Sequence, residues 1–506
     1  MLWGDTVAYW ARWQGGSVAV RFGGNDLTWA ALDRRASSLA SGLAGLGVGH
    51  GDRVGLLMSN RPEFLEVVVA CARLGAIVAP FNLRFTAPEL AFVAADADCT
   101  VIVTEAALRP GLSTAEAESP GLVVLDADDG SLAALSASGD APARADVQPD
   151  DPLFICYTSG TTGHPKGAVL THRSWFYASM VRALQGGINK NDRILLPFPL
   201  AFTGGLALSM VALWSGATLV LEPGFEPGRA LELIESQRIT VFMAVPTLFQ
   251  MMSQHPTFAT ADISSIRCAS SGGATVPVPL LRTFLDRGIT MTQTYSLTEV
   301  SASGITLPYD QSLSRVGSCG VPAMHSQARI VDDEGVELPP GTVGEIAIKG
   351  PEVTLGYWRN PEATAATLRD GWCHTGDLGM MDADGYFYVV DRAKDMLISG
   401  GLNVYPAEIE RQLAGLAGVV ELAVIGVPDE RWGETPAVIA VLSGDADTLD
   451  GAAVLDRCAG VLADFKLPRY LVVRPDPLPR NMSGKVLKAD LRREYADLPT
   501  RATPIR

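Results

Sequence analysis

The strongest constraint on the fold lies in residues 53–81. There an apolar run (Val54-Gly55-Leu56-Leu57-Met58), a helical stretch (62–74) and a second apolar run (76–80) follow one another. A buried strand, a helix and another buried strand in that order form a βαβ unit, whose strands lie parallel because the helix carries the chain back across the sheet. The pattern returns at 217–221, 227–237 and 240–245 and again after Ile266, which predicts two parallel α/β layers. From 316 to 390 the texture changes to short alternating strands punctuated by Asp333-Glu334-Gly335, Pro340-Gly341 and Asp384-Gly385. Such turns suit a small antiparallel barrel or sheet. Beyond Asp391 a helix (406–413) and two strands (421–427, 437–442) begin a compact α+β unit, so the boundary falls at 391–395. The Ala- and Asp-rich stretch 125–147 reads as a surface excursion.

Composition excludes several functional classes. A formal charge of −16 opposes contact with phosphate backbones, since non-specific nucleic-acid affinity comes from clustered Lys and Arg. Any polyanion must instead be held by a local site of backbone N–H groups, a metal ion and a few placed cations. Residues 194–221 carry no charge and are long enough to span a bilayer. Pro197, Pro199, Gly204, Gly205 and Gly216 interrupt them, however, and a broken apolar run suits a buried strand, loop and helix. The seven cysteines are odd in number and contain no C-x-x-C pair, so they read as reduced, mostly buried thiols. The start Met1-Leu2-Trp3-Gly4-Asp5 lacks the basic and apolar regions of a signal peptide, and a cytoplasmic location is expected.

One string carries more chemistry than the rest: Tyr157-Thr158-Ser159-Gly160-Thr161-Thr162-Gly163-His164-Pro165-Lys166-Gly167 follows an apolar strand and crowds hydroxyls around three glycines. Such a loop can present many N–H and O–H donors to a phosphate chain, with Lys166 as a point charge. It lacks the Walker A spacing, and alone it could be a plain Gly/Ser/Thr surface loop. Four further motifs follow in order: Tyr295-Ser296-Leu297-Thr298-Glu299; Thr375-Gly376-Asp377; Asp391-Arg392-Ala393-Lys394-Asp395 with Ser399-Gly400-Gly401-Leu402-Asn403; and Pro479-Arg480-Asn481-Met482-Ser483-Gly484-Lys485.

Together these motifs resemble the signatures of the adenylate-forming superfamily, which contains acyl-CoA synthetases, adenylation domains of peptide synthetases and firefly luciferase. The resemblance runs from about Leu27 to about Lys488 and is strongest to the acyl-CoA synthetases, the AMP-dependent carboxylic acid:CoA ligases. It implies an α/β fold with a large N-terminal AMP-binding domain, 1–390, of two α/β subdomains plus a small β-barrel. A hinge (391–395) and a small, mobile α+β lid domain (396–506) would follow. It implies Lys485, Thr298, Glu299 and Lys394 as catalytic, with Glu299 as the Mg²⁺ ligand and Lys394 as the pivot. ATP or AMP would be held by Thr158, Ser159, Gly160, Thr161, Thr162, Gly163, Lys166, Gly272, Gly273, Ala274, Thr294, Tyr295, Ser296, Thr298, Asp377, Val389 and Arg392. Phe202, Thr203, Gly204, Gly205, Ser296 and Leu297 would border the acyl pocket, and Gly400 and Gly401 the coenzyme A channel.

Elementary chemistry agrees with these residue types. A carboxylate attacking the α-phosphate of ATP brings two anions together, so catalysis is chiefly charge neutralisation and in-line positioning. A Glu supplies hard oxygen to Mg²⁺, and a Lys can bridge carboxylate and phosphate. Taken singly, a Glu or Lys is usually a solvated surface charge; five motifs in one order are hard to obtain that way. The predicted activity is ATP-dependent conversion of a small carboxylic acid to acyl-AMP, followed by transfer to coenzyme A. Rival readings are a stand-alone enzyme loading a carrier-protein phosphopantetheine in trans, and a non-catalytic acyl- or nucleotide-binding homologue. The oligomeric state, monomer or homodimer, is left open. Two departures stand out: Phe202 replaces a histidine common in the family, and Ser296 replaces a glycine. The segment Ala201-Phe202-Thr203-Gly204-Gly205 carries no charge, so the acid is expected to be apolar and to lack an α-amino group. Gly204, Gly205, Gly272 and Gly273 would leave the pocket roomy.

Overall fold

The predicted βαβ unit forms the middle of a six-stranded sheet in a computed structural model that describes residues 2–136, 145–158, 165–196, 198–274, 276–443, 449–480 and 486–506. Strands Arg53–Leu57 and Ile77–Pro80 lie parallel, register Val54 against Val78, and flank the helix Pro62–Leu74. That helix begins on a proline, whose missing N–H costs nothing in the first turn. It ends at Gly75, whose φ of 69° closes the helix in the left-handed region. Val101–Thr104, Val123–Asp126, Pro152–Thr158 and the antiparallel Lys166–Thr171 complete the sheet. The 125–147 expectation is corrected at a few positions: Leu125 and Asp126 end the strand Val123–Asp126, and Leu132 and Val147 are buried as well, while 137–144 lie outside the described residues.

A second, nine-stranded sheet holds the recurring pattern, with Arg193–Leu196, Thr218–Leu221, Val241–Ala244, Cys268–Gly272 and Met291–Ser296 all parallel. The charge-free run 194–221 becomes strand, loop, helix Thr203–Ser215 and strand, and among the described residues no helix is long and apolar enough to cross a membrane. One hydrophobic cluster joins both sheets: Val54, Val103 and Phe154 from the first, Ile194, Leu219 and Val241 from the second, and Val68, Leu206 and Leu213 from the helices between them.

Residues 327–392 form a five-stranded antiparallel sheet. No pairing among the described strands closes it, so of the expected barrel or sheet the chain forms an open sheet, in which the long strand Trp372–Met381 carries three partners. The last unit pairs Val419–Asp429 with Gly433–Leu442 and packs the helix Pro406–Leu413 against them. Its two hydrophobic clusters use only residues from Leu397 onward, while the preceding cluster ends at Val389.

All seven cysteines are unpaired, six of them buried. Burial pushes the Cys71, Cys156 and Cys319 thiols up to about 12 and that of Cys268 to about 11. Since the thiolate is the reactive form, iodoacetamide at pH 8 should leave these four unlabelled in native protein and label all of them in urea. Mass spectrometry of peptides reads this directly; labelling of the native protein at any of the four would contradict the packing described.

Candidate active site

The carboxyl ends of the parallel strands open on one cavity of about 1060 Å³. Tyr157 and Thr158 end the strand Pro152–Thr158, Gly272 ends Cys268–Gly272, and Thr294, Tyr295 and Ser296 end Met291–Ser296; all line it. Open α/β sheets gather ligands there, because loops leaving several strand ends converge on one crevice. The antiparallel sheet adds Thr375, Gly376, Asp377 and Arg392 to the same wall.

These groups engage one another. Asp377 and Arg392 are register partners and form an ion pair at 3.4 Å, while the Tyr295 hydroxyl donates to Asp377 at 2.7 Å. Burial, reinforced by the Asp377 charge, pushes the Tyr295 phenol well up, so it stays a donor. Gly376 N–H donates to Glu345 at 2.8 Å and Thr375 to the Ile346 carbonyl at 2.7 Å, which pins the turn presenting Asp377. A short 3₁₀ turn, Thr298–Val300, follows the strand Met291–Ser296 and holds Thr298 2.8 Å from Thr203 Oγ1. Beside it the Tyr357 hydroxyl donates to Glu299 Oε1 at 2.7 Å, and Lys166 Nζ lies 5.7 Å from the Tyr357 ring centre. Burial and the Glu299 charge raise the Tyr357 phenol, so it too remains protonated.

Of the expected residues, Thr158, Lys166, Phe202, Thr203, Gly204, Gly272, Gly273, Thr294, Tyr295, Ser296, Leu297, Thr298, Glu299, Asp377, Arg392 and Lys394 line this one cavity. Ser159, Gly160, Thr161, Thr162, Gly163 and Lys485 lie outside the described residues. Three expectations are corrected. Gly205 is buried off the cavity, where a Cβ would sit 2.1 Å from the Pro199 carbonyl oxygen, so it serves close backbone packing and leaves no pocket volume. Val389 packs into the core of the antiparallel sheet, and Ala274 is exposed beyond the cavity wall. Gly400 and Gly401, at φ 60° and 82°, form the turn between Leu397–Ser399 and Leu402–Val404. That turn packs on Trp432, whose ring a Cβ on Gly400 would meet at 2.8 Å; its expected channel role belongs to the arrangement reached when the small unit swings, and it is not among the three corrections. Residues that the sequence did not single out are Tyr357, Glu345, Met243, Leu208 and Arg182. None belongs to a recurring string, and only the packed chain brings them to the site.

Among the described residues no group of three or more His, Cys, Asp or Glu could hold a metal. One oriented carboxylate fits Mg²⁺ nonetheless, because that ion keeps several waters and takes its other ligands from substrate phosphates.

Residues 7–358 match the family described as AMP-binding enzyme, and residues 408–485 its C-terminal domain. The chain belongs to the AMP-binding enzyme family. It is 40% identical over 497 residues to a feruloyl-CoA synthase of Amycolatopsis sp, covering 96% of this chain and 97% of that one. It is 39% identical over 474 residues to a long-chain-fatty-acid–CoA ligase of Mycobacterium tuberculosis, covering 93% of each. Its fold matches the crystal structure of ATP-bound MatB from Rhodopseudomonas palustris at a TM-score of 0.91 and 34% identity, over 98% of this chain and 100% of that one. It is thus an AMP-forming acid–thiol ligase, which adenylates a carboxylic acid with ATP and passes the acyl group to coenzyme A.

Within this family member, the Tyr357 phenol fixes the Glu299 carboxylate. Tyr357→Phe should therefore raise the Mg²⁺ concentration for half-maximal pyrophosphate release about ten- to a hundred-fold, the worth of one hydrogen bond to a charged group. An unchanged Mg²⁺ dependence would remove that role from Tyr357.

Proposed function

We propose that the acid activated is apolar, aliphatic, aromatic or polycyclic, and carries no α-amino group. One observation carries this reading: beyond Thr203 the cavity is walled by Phe198, Phe202, Ala207, Leu208, Met243 and Ala244, and its acidic residues, Glu299, Glu345 and Asp377, belong to the nucleotide wall. An ammonium placed between apolar walls without a carboxylate would cost several kcal/mol, on the order of a thousand-fold in selectivity. The relatives named for feruloyl and long-chain fatty acyl groups support the same body type.

In this reading Asp377 and Arg392 hold the ribose, Glu299 with Thr298 holds Mg²⁺ and phosphate, and Lys485 bridges the carboxylate and the α-phosphate. The chain pivots at 391–395. The separate hydrophobic clusters on either side of that segment support a joint that can turn, since interfaces without a shared core allow domain motion. Unpaired cysteines support a reducing, cytoplasmic setting.

A pyrophosphate-release screen over fatty, cinnamate-type, polycyclic, dicarboxylic and amino acids tests the substrate class; a preference for malonate or any amino acid would overturn it. Lys485→Ala should lower acyl-AMP formation about 100- to 1,000-fold, the usual cost of one transition-state donor, and spare thioester formation from supplied acyl-AMP. Equal losses in both steps would refute the bridging role. Lys394→Pro should act in the opposite sense, sparing adenylation and suppressing transfer, because proline fixes φ at the pivot. No described backbone hydrogen bond uses the Lys394 N–H, so the substitution removes none. Unchanged rates in both steps would move the pivot elsewhere.

A further inference from the structure

The turn that carries Thr298 and Glu299 continues into an unfavourable backbone. Ser301 and Ala302 hold φ of 53° and 52°, the left-handed region in which a side chain costs energy and glycine is the ordinary occupant. Successive N–H groups fold the chain tightly there: Val300 and Ala302 donate to the Leu297 carbonyl at 3.2 and 3.1 Å, Ser301 to that of Thr298 at 3.0 Å and Ser303 to that of Val300 at 2.9 Å. A strained pair of residues persists only where its surroundings overdetermine it.

Two neighbouring elements supply that constraint. Arg182, on the helix His172–Gly186, donates through Nη2 to the Ala302 carbonyl, while its Nη1 is shielded from solvent and has no hydrogen-bond partner. Burial alone pushes this guanidinium down to about 10, and no carboxylate offsets the shift. A desolvated cation holds a carbonyl oxygen more firmly than a neutral donor does, and giving up this contact would leave the buried charge without a partner. The second element is the segment 352–357. There the Ser301 hydroxyl donates to the Glu352 carbonyl at 2.9 Å, the Thr354 N–H to the Glu299 carbonyl at 2.7 Å, and the Tyr357 hydroxyl to the Glu299 carboxylate. Ser301 and Glu352 are both fully buried, so water has no access to replace their bond.

We propose that Arg182 and Ser301 are positioning residues for the ATP half-reaction: by holding the left-handed pair in place they aim Thr298 and Glu299 at the nucleotide. This rests on the reading above in which Glu299 with Thr298 holds Mg²⁺ and phosphate, to which it adds what keeps the two side chains aligned. Released from either contact, the pair relaxes toward ordinary backbone angles, and the residues just before it turn as well.

Two readouts on Arg182→Met and Ser301→Ala test it. Native-state hydrogen exchange, followed by mass spectrometry of peptides covering 297–303, should quicken about five-fold or more in both variants, the loss of one buried hydrogen bond. The strand Val419–Asp429 in the small unit should exchange as in the wild type. On the same preparations, pyrophosphate release from acid and ATP should fall about five-fold further than thioester formation from supplied acyl-AMP, which uses no ATP, and should require more Mg²⁺. A merely structural role would quicken exchange throughout and lower both half-reactions equally; that result, or unchanged exchange at 297–303, overturns the proposal. Should Arg182→Met not fold, Ser301→Ala, which removes one hydroxyl and no charge, decides by the same outcomes. Glu299→Gln separates this inference from the reading beneath it. If that substitution leaves the Mg²⁺ requirement of pyrophosphate release unaltered, the metal reading fails and this inference with it. If it raises the requirement while Arg182→Met and Ser301→Ala do not, the positioning role alone fails.

Discussion

Everything at the site depends on a core shared by two sheets. The helix Thr203–Ser215 has no charged residue and is buried on nearly every side, because Leu206 and Leu213 pack in the same cluster as strands from both sheets. A helix buried all round cannot shift without opening voids, each costing of order 1–5 kcal/mol. Its first turn is tied down further by Gly205, whose missing side chain lets the backbone rest against the Pro199 carbonyl. Phe202, Thr203 and Gly204 therefore enter the cavity from a fixed base, and Thr203 can meet Thr298 across it at 2.8 Å.

That rigidity gives the cavity a lasting electrical layout. At the nucleotide wall the anions Glu299, Glu345 and Asp377 are each committed to a partner, Tyr357, the Gly376 N–H, and Tyr295 with Arg392. Phenols that burial keeps protonated serve as donors there without adding charge. A section of phenylalanine, leucine, methionine and alanine adjoins it. An acid with an apolar body can enter this gradient in one orientation, its carboxyl group toward the phosphates, because reversing it would leave that section unchanged and lose the phosphate-side donors.

Local signals made the alternating sheets and helices readable. Residues 406–413 were expected as a helix and form one over Pro406–Leu413, with Pro at its start and Ile409 and Leu413 facing the core. The expected strands at 421–427 and 437–442 lie inside Val419–Asp429 and Gly433–Leu442. The Thr298-Glu299 and Thr375-Gly376-Asp377 strings, which line the cavity, were legible because each is a contiguous run of unusual chemistry, whereas residues 159–164 of the phosphate-loop string lie outside the described residues. What stayed hidden is set by contacts distant in sequence. Tyr357 reaches Glu299 across 58 residues and Arg182 reaches Ala302 across 120, and no periodicity records such meetings. The opposite error, placing Gly205 and Val389 at the site, arose because a glycine's space and a strand residue's side are fixed by neighbours that sequence spacing does not name.

The joint between the large and small units is built on different physics from the core. Asp391, last but one in the strand Phe387–Arg392, is buried, and its carboxylate accepts from the N–H of Ala407 at 2.8 Å in the first turn of Pro406–Leu413. Burial raises this carboxyl group, although the nearby Lys488 charge opposes the shift; Lys488 in turn pairs with Glu410 at 2.8 Å. A helix N-terminus holding a carboxylate is directional and short-ranged. It fixes where the small unit begins while contributing no apolar area that turning would have to expose. A hydrophobic cluster spanning 391–395 would oppose rotation in proportion to the surface torn apart, whereas a few charged contacts can be exchanged for water and for one another.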